Sequence, residues 1–259
     1  MSEKNTNFYM RKIRKIRLYV EFSKQNKVQL NQEQSHYLLN VMRCKEDEKI
    51  YIFNQNMGEW IASIEINKKS LFVKPINLYR EPQPRNTKRI VLCFGPTKKY
   101  GEFVVEKATE MAIDAIMPIM SDRSVVNKIN EDKYQKTIIE AAEQSGAILL
   151  PHLFCMTKIS HIQEQISSHY KEFNHMYVVL HTAAQITTTS IDQLQVPEDT
   201  ILSVIIGPEG GFSDVDIDIT KKTIPSNLIF IKLGASVMRA ETASVAAIAL
   251  CNAIIGKYS

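Results

Sequence analysis

Continuous apolar runs alternate with helical segments from Ile90 onwards, and this alternation limits the folds open to the chain more than any other feature. The runs carry little polar alternation, which indicates strands buried on both faces. Strands that alternate with helices predict a mainly parallel sheet covered by helices, so the expected fold class is α/β. The predicted strands are 90–94, 115–120, 176–181, 201–206 and 228–233, and the predicted helices are 102–112, 131–145, a short one capped by Ser213, and 240–255.

The pattern before residue 80 is different. Short runs of β character, separated by polar residues, indicate a small β-barrel. These runs are 17–22, 49–54, 59–66 and 71–77. One helix is predicted over 31–42, where Tyr37, Leu38, Val41 and Met42 share a face. The two-proline stretch Arg80–Asn86 is typical of a linker, so we expect one domain over 1–80 and a second over 87–259.

Composition narrows the class of protein. Hydrophobic residues make up 44% of the chain and charged residues 23%, as in a globular protein with a substantial core. The apolar run at 243–255 is too short to cross a bilayer, and no apolar segment follows the N-terminal charges. The four cysteines form no close pair, which argues against a zinc site and a disulfide framework. We therefore expect a cytoplasmic protein without a metal or a membrane partner.

A basic segment stands near the N-terminus. Residues 11–17 read Arg-Lys-Ile-Arg-Lys-Ile-Arg, ahead of the first strand-like run, in a chain whose net charge is only +4. A concentrated positive patch attracts phosphate backbones. A solvated, frayed arm explains the charges equally well, so this segment alone leaves both interpretations open.

Two loops follow predicted strands of the sheet, where open parallel sheets bind their ligands. The first is Gly207-Pro-Glu-Gly-Gly211, whose three glycines let a flat ligand approach the backbone. It matches neither a Walker A motif nor the G-x-G-x-x-G pattern, and taken singly it could be only a tight turn. The second, Leu233 to Ala240, places Arg239 and Glu241 where a helix begins. An ordinary surface ion pair would explain those two charges, but the pairing of the loops favours a ligand site.

These loops and several other segments resemble the ribosomal small subunit methyltransferase E family. The similar segments occur in the family's order along nearly the whole chain. They are His36–Arg43, Lys107–Glu110, Asp122–Ser124, Glu140–Gly146, Gly207–Phe212 and Leu233–Ala243. Some positions depart from the family pattern. The usual Gly after Lys-Ala-Thr-Glu-x is Ala112, the usual Pro-Arg after Leu-Gly is Ala235-Ser236, and the usual Lys-Gly pair becomes Gly95–Gly101 with Lys98 and Lys99.

The resemblance implies a fold and an activity. Members of the family have a PUA-like N-terminal barrel and a C-terminal SPOUT domain whose chain forms a trefoil knot. They act as homodimers and use S-adenosylmethionine to methylate N3 of one uridine in 16S ribosomal RNA of the small subunit. In this sequence the knot would involve Gly207–Gly211 and Leu233–Arg239, with the last predicted helix tucked through.

The resemblance and the chemistry together name candidate residues. N3 of uridine must lose a proton, so a base or a donor that stabilises the resulting charge is needed. Arg239 is the expected donor, and Glu241 and Glu209 are the candidate bases, although either could equally hold the cofactor ribose or cap a helix. The expected cofactor contacts are Leu180, Gly207, Glu209, Gly210, Leu233, Gly234 and Met238. The expected RNA contacts are Arg11, Arg14, Arg17, Arg43 and Arg123. A dehydrogenase and an inactive RNA-binding module are the two rival functions.

Overall fold

The chain divides into two compact units in the computed structural model, which describes residues 13–24, 26–67, 70–181, 191–224 and 226–257. The N-terminal unit runs to Pro84 and also includes Ala142–Leu149. The C-terminal unit comprises Arg85–Ala141 and the residues from Leu150 onwards. The boundaries 1–80 and 87–259 stay a prediction.

The N-terminal unit is built on a five-stranded sheet with the strand order β1-β3-β4-β5-β2. Its apolar core includes Ile16, Leu18, Ile50, Ile52 and Val73. The elements are β1 (Ile13–Tyr19), β2 (Val28–Gln29), α1 (Gln32–His36), a π-helix (Tyr37–Val41), β3 (Lys49–Asn54), β4 (Gly58–Asn67) and β5 (Ser70–Arg80). The β character predicted for this part of the chain is confirmed, while the short β2 was not predicted.

The described part of the basic segment, residues 13–17, lies within the first strand and not ahead of it. β1 already begins at Ile13 and pairs in parallel with β3, with Arg17 opposite Tyr51. Alternate residues of the strand are buried, Ile16 and Leu18 among them. The strand therefore holds Arg14 and Arg17 in fixed positions within the sheet.

The helix predicted over 31–42 is also different in detail. Asn31 caps α1, since its side chain accepts from the Gln34 amide at 2.8 Å. A π-helix follows, in which the Met42 amide donates to the Tyr37 carbonyl five residues back. This wider turn breaks the 3.6-residue period, so Leu38 is fully buried but Val41 is 59% exposed. The predicted common face of Leu38 and Val41 is therefore wrong.

The C-terminal unit contains a seven-stranded sheet. Its strand order is β12-β10-β11-β6-β7-β8, with β9 also paired to β7. The strands are β6 (Arg89–Phe94), β7 (Ala115–Met120), β8 (His152–Leu153), β9 (Thr157–Lys158), β10 (Asn174–Leu180), β11 (Thr200–Ile206) and β12 (Leu228–Ile231). The helices are α2 (Gly101–Glu110), α3 (Glu131–Ser145), α4 (Ile162–His169), α5 (Asp214–Thr223) and α6 (Ala240–Ile254), with short 3-10 turns at Ile159–His161 and Ile191–Gln193. The residues of α3 from Ala142 onwards belong to the N-terminal unit.

Every strand pair in this sheet is parallel, which confirms the α/β class. β11 lies at the centre and is buried over its whole length, as its uninterrupted apolar sequence predicts. The core around it includes Val91, Met117, Ile162 and Phe230. Because the strands are parallel, all of their carboxyl ends meet at one edge.

Three features of this unit differ from the sequence prediction. The segment 152–175, for which no element was predicted, contains β8, β9 and α4. The last strand ends at Ile231 rather than Leu233, so the loop that follows it is longer. The helix predicted over 102–112 is observed as Gly101–Glu110, where Phe103 is 39% exposed and Val104 and Ala108 are buried.

Within the described ranges, none of the helices has the length and apolar character needed to span a membrane. The same ranges contain no cluster of three or more His, Cys, Asp or Glu side chains able to bind a metal ion.

Candidate functional site

The two loops singled out in the sequence both lie at the carboxyl edge of the parallel sheet. One follows β11 and the other follows β12. These strands are not neighbours, however, because β10 pairs with both of them. The end of β10 at Leu180 therefore lies between the two loops, where a ligand would contact all three strand ends.

The first loop is tightly folded at Gly207. An added Cβ at this position would come within 3.2 Å of the Gly211 backbone. The Gly211 amide closes the turn by donating to the Pro208 carbonyl at 2.8 Å, and Gly211 has a φ of +66° that favours glycine. Gly207 is buried, while Glu209 and Gly210 are exposed at the tip. The loop thus presents backbone groups and one carboxylate at the sheet edge.

The second loop brings Arg239 and Glu241 to the start of α6. Arg239 is the N-cap residue of this helix and is exposed, and Gly234 earlier in the loop has a φ of +72°. Met238 is 39% exposed, and Leu233 is half-buried. Glu241 is different, because it is only 8% exposed.

The Glu241 carboxylate is the most unusual group at this edge. Its Oε2 atom is buried and has no hydrogen-bond partner among the described residues. It lines a narrow cleft whose other walls include Gly207, Gly95, Thr97 and Tyr100. Since a buried polar atom without a partner costs free energy, this carboxylate is suited to meet a ligand.

The loop after β6 forms a third wall that the sequence reasoning did not identify. Gly95 lies so close to the first loop that an added Cβ would come within 2.6 Å of the Pro208 nitrogen. Thr97 and Tyr100 reach the cleft from this loop, while Lys98 and Lys99 are exposed. The only sequence signal for this wall is its position directly after β6, which is another strand of the same sheet.

His181 follows β10 at the same edge, and its amide donates to the Ile231 carbonyl at 3.0 Å. Burial lowers the pKa of its imidazole, an effect that the charge of Lys221 reinforces and that of Asp214 opposes.

The residues predicted to contact the cofactor lie at or directly after the ends of the three neighbouring strands β10, β11 and β12.

The arginines predicted to bind RNA differ in how far their side chains are already engaged. Arg17 donates to Glu59 and to the carbonyls of Ala142, Glu143 and Ala147, and its side chain is 14% exposed. These contacts lie inside the N-terminal unit and occupy all three guanidinium nitrogens. Arg17 therefore has a structural role, and its predicted contact with RNA is not supported.

The side chain of Arg14 is partly exposed to solvent. It pairs with Glu48 at 3.0 Å, and the side chains of both residues are 34% exposed. This contact raises the pKa of Arg14 and lowers the pKa of Glu48. Arg11 lies outside the described residues.

Arg43 and Arg123 are exposed. Arg43 follows the π-helix with a φ of +52°, an uncommon conformation for a side chain of this size. Arg123, in the loop after β7, donates through Nη1 to the Gly210 carbonyl at 3.0 Å. The structure thus places Arg123 beside the first glycine loop.

An open groove of about 390 Å³ lies along α2 and α6. Phe103, Val245 and Ala246 give it an apolar lining, and Glu241 reaches it from the cleft. Leu250, further along α6, is 41% exposed. This face of the unit therefore offers apolar surface to a partner.

Two families of known domains match the chain. The RNA methyltransferase domain matches residues 84–252, and the RNA methyltransferase PUA domain matches residues 30–76. Together they account for most of both units.

Individual proteins that resemble this chain agree with the two domain families. Ribosomal RNA small subunit methyltransferase E of Rickettsia conorii is 25% identical over 244 residues, which cover 90% of this chain and 93% of the relative. A Legionella pneumophila structure in complex with bound S-adenosylmethionine is 28% identical, with a TM-score of 0.75 over 93% of this chain and 98% of that one. Ribosomal RNA small subunit methyltransferase E from Neisseria gonorrhoeae, bound to S-adenosylmethionine, is 20% identical, with a TM-score of 0.75 over 92% of this chain and 97% of that one.

Proposed function

This chain belongs to the RNA methyltransferase family, and from that premise we propose that it methylates N3 of one uridine in 16S ribosomal RNA of the small subunit, with S-adenosylmethionine as the methyl donor. The observation that carries the proposal is the cleft at the carboxyl edge of the sheet, where the unpartnered Glu241 carboxylate faces the glycine loop at Gly207. Relatives named ribosomal RNA small subunit methyltransferase E and a 28% identical solved structure with bound S-adenosylmethionine support methylation of small-subunit ribosomal RNA with this donor.

The residues at the edge fit the proposed cofactor. Leu180, Leu233 and Met238 lie at this edge and would provide apolar contact to the adenine ring, while the backbone of the first glycine loop would provide hydrogen-bonding groups. S-adenosylmethionine supplies a methyl group on a sulfonium centre, an electrophile strong enough to react without a metal ion. We further propose that the two glycine-bearing loops and α6 form the trefoil knot.

In the proposed mechanism Glu241 removes the N3 proton. Glu241 is favoured over Glu209, because Glu209 is exposed whereas the Glu241 Oε2 atom is buried without a partner among the described residues. Arg239, two residues earlier, donates from its planar guanidinium to a uracil carbonyl and stabilises the negative charge that develops there. Arg239 is the N-cap residue of α6 and Glu241 lies in its first turn, so the start of this helix brings both residues to the sheet edge.

The N-terminal unit is proposed to bind the RNA. Arg43 is exposed and keeps a strained backbone, a combination that points to a functional constraint. Arg14 adds a half-exposed positive charge on β1. Because the proposed substrate is ribosomal RNA, the proposed location of the protein is the cytoplasm.

The proposed assembly is a homodimer, joined through the groove along α2 and α6. Exposed Phe103 and Leu250 on this face would be buried by a second copy. Light scattering on the purified chain should give twice the chain mass, and Phe103→Glu together with Leu250→Glu should give a monomer. A wild-type monomer at micromolar concentration would contradict the dimer.

Two measurements test the function. Small ribosomal subunits that lack the modification should accept radiolabelled methyl groups from S-adenosylmethionine, and S-adenosylmethionine rather than NAD should raise the Tm of the protein. Glu241→Gln should lower kcat by about 10²–10⁴, the usual contribution of a general base, with an unchanged Kd for S-adenosylmethionine. A large rise in that Kd would instead make Glu241 a cofactor ligand, and no transfer by the wild type would refute the activity.

A further inference from the structure

We propose that Arg123 is a positioning residue for the cofactor loop and not an RNA contact, and that the buried Asp216 carboxylate holds it in place. The inference rests on the proposed function, because it assigns a role in binding S-adenosylmethionine. It concerns the loop after β7, the glycine loop after β11 and the first turn of α5.

Asp216 anchors two chain segments at once. It is 1% exposed, and its Oδ1 atom accepts from the Asp122 amide at 2.9 Å. Its Oδ2 atom accepts from the Ser213 amide at 2.9 Å and from the Ser213 hydroxyl at 3.1 Å. One carboxylate thus completes the capping box of α5 and fixes the backbone next to Arg123.

The loop after β7 is also rigid within itself. The Ser121 amide donates to the Ser124 hydroxyl at 2.9 Å, and the Ser124 amide donates to the Ser121 carbonyl at 3.1 Å. Arg123 is therefore carried on a closed turn whose outer end is anchored to Asp216. A side chain held in this way can transmit its position to whatever it contacts.

The contact that Arg123 makes is with the glycine loop. Its Nη1 atom donates to the Gly210 carbonyl at 3.0 Å. An added Cβ at Gly210 would come within 3.3 Å of the Arg123 Cβ and within 3.5 Å of its Cδ, so the glycine lets the arginine stem lie against the loop. The hydrogen bond from the Gly211 amide to the Pro208 carbonyl holds the tip of the loop from within the loop. Arg123 holds the same tip from the loop after β7.

This arrangement keeps the loop in one conformation before the cofactor binds. An exposed glycine-rich loop otherwise loses conformational entropy on binding, which weakens affinity. A hydrogen bond from a charged donor can offset that loss, although exposure of Arg123 to solvent reduces its contribution. A change of about tenfold in cofactor affinity is the expected scale.

The decisive experiment is a titration of S-adenosylmethionine, without RNA, by calorimetry at a temperature well below the Tm of each variant. Arg123→Ala should raise the Kd about tenfold, and Arg123→Lys, which keeps one donor, should recover most of the affinity. Lys128→Ala removes an exposed charge from the same connection and should leave the Kd unchanged. Because Asp216 acts through Arg123, adding Asp216→Asn to Arg123→Ala should weaken binding little further.

An Arg123→Ala protein that binds S-adenosylmethionine as well as the wild type does would overturn the inference. If that variant also bound RNA more weakly, with a shallower salt dependence, Arg123 would be a phosphate contact. A wild-type chain that bound no S-adenosylmethionine would overturn the proposed function itself, so the two failures are distinguishable.

Discussion

Replacement of Ala112 by glycine should stabilise the protein. Ala112 lies two residues after the end of α2. Its φ of +55° falls in the left-handed region, which is unfavourable for any residue with a Cβ atom. Its amide donates to the Thr109 carbonyl at 2.9 Å, and its carbonyl accepts from Lys257 Nζ at 2.8 Å, so the conformation is held from both sides. The methyl group is exposed, and its removal sacrifices little burial.

The magnitude follows from two opposing effects. A left-handed conformation costs an alanine about 1–2 kcal/mol, which glycine avoids. Glycine also gives the unfolded chain more freedom, which costs about 0.4–1 kcal/mol. The net increase in the free energy of unfolding should be about 0.5–1 kcal/mol, or a Tm higher by about 1–4 °C for a domain of this size.

Equilibrium unfolding in urea, followed by circular dichroism, measures this difference. Ala249→Gly is the matched control, because Ala249 is a half-buried alanine in the interior of the regular helix α6. That variant should lose about 0.5–1 kcal/mol. The two alanine-to-glycine substitutions should therefore change the free energy of unfolding in opposite directions. A loss of stability in both variants would refute the argument from the Ala112 backbone.

Three other predictions concern the described contacts. Glu59→Ala should lower the free energy of unfolding by about 3 kcal/mol, because it removes the buried carboxylate that pairs with both Arg17 and Arg80. Glu65→Ala at an exposed pair should cost under about 1 kcal/mol, and equal losses in urea unfolding would contradict this. Arg43→Gly should keep or raise the Tm yet weaken RNA binding in a filter assay, and unchanged RNA affinity would remove Arg43 from the interface. The His152 and His169 rings stack with their centroids 4.3 Å apart. Burial lowers the pKa of both imidazoles below their values in the unfolded chain. The charge of Arg85 lowers both pKa values further, and the charge of His169 also lowers that of His152. Stability should therefore be full above pH 6.5 and fall as the pH drops towards the lowered pKa values, and His169→Gln should flatten this slope of Tm against pH.

Local patterns predicted the fold well where the chain carries regular signals. The helix α3 and the strands β3 and β7 have the predicted bounds, and Ser213 caps α5 as expected. The two-residue strands β8 and β9 are too short to leave a periodic signal.

The missed helix α4 carried a weak signal. Ile159, Ile162 and Ile166 repeat at helical spacing and are buried, yet the surrounding residues are polar and eight residues form few turns.

Long-range contacts explain what the sequence could not predict about the site. The Arg17 guanidinium reaches Glu59, 42 residues away, so a charge that suggested RNA binding turned out to be structural. The buried state of Glu241 depends on the loop after β6, far away in the chain. The insertion of β10 between β11 and β12 likewise follows from strand order in the sheet and not from sequence order.

The most direct test of the central claim is mass spectrometry of 16S ribosomal RNA after reaction of unmodified small subunits with the protein and S-adenosylmethionine. Digestion to nucleosides should yield one additional methylated uridine per subunit, with the methyl group on N3. Arg239→Ala should yield none while its Kd for S-adenosylmethionine stays unchanged. A methyl group on another base, or on the ribose, would contradict the proposed reaction, and an unmodified product with the wild-type protein would contradict the activity altogether.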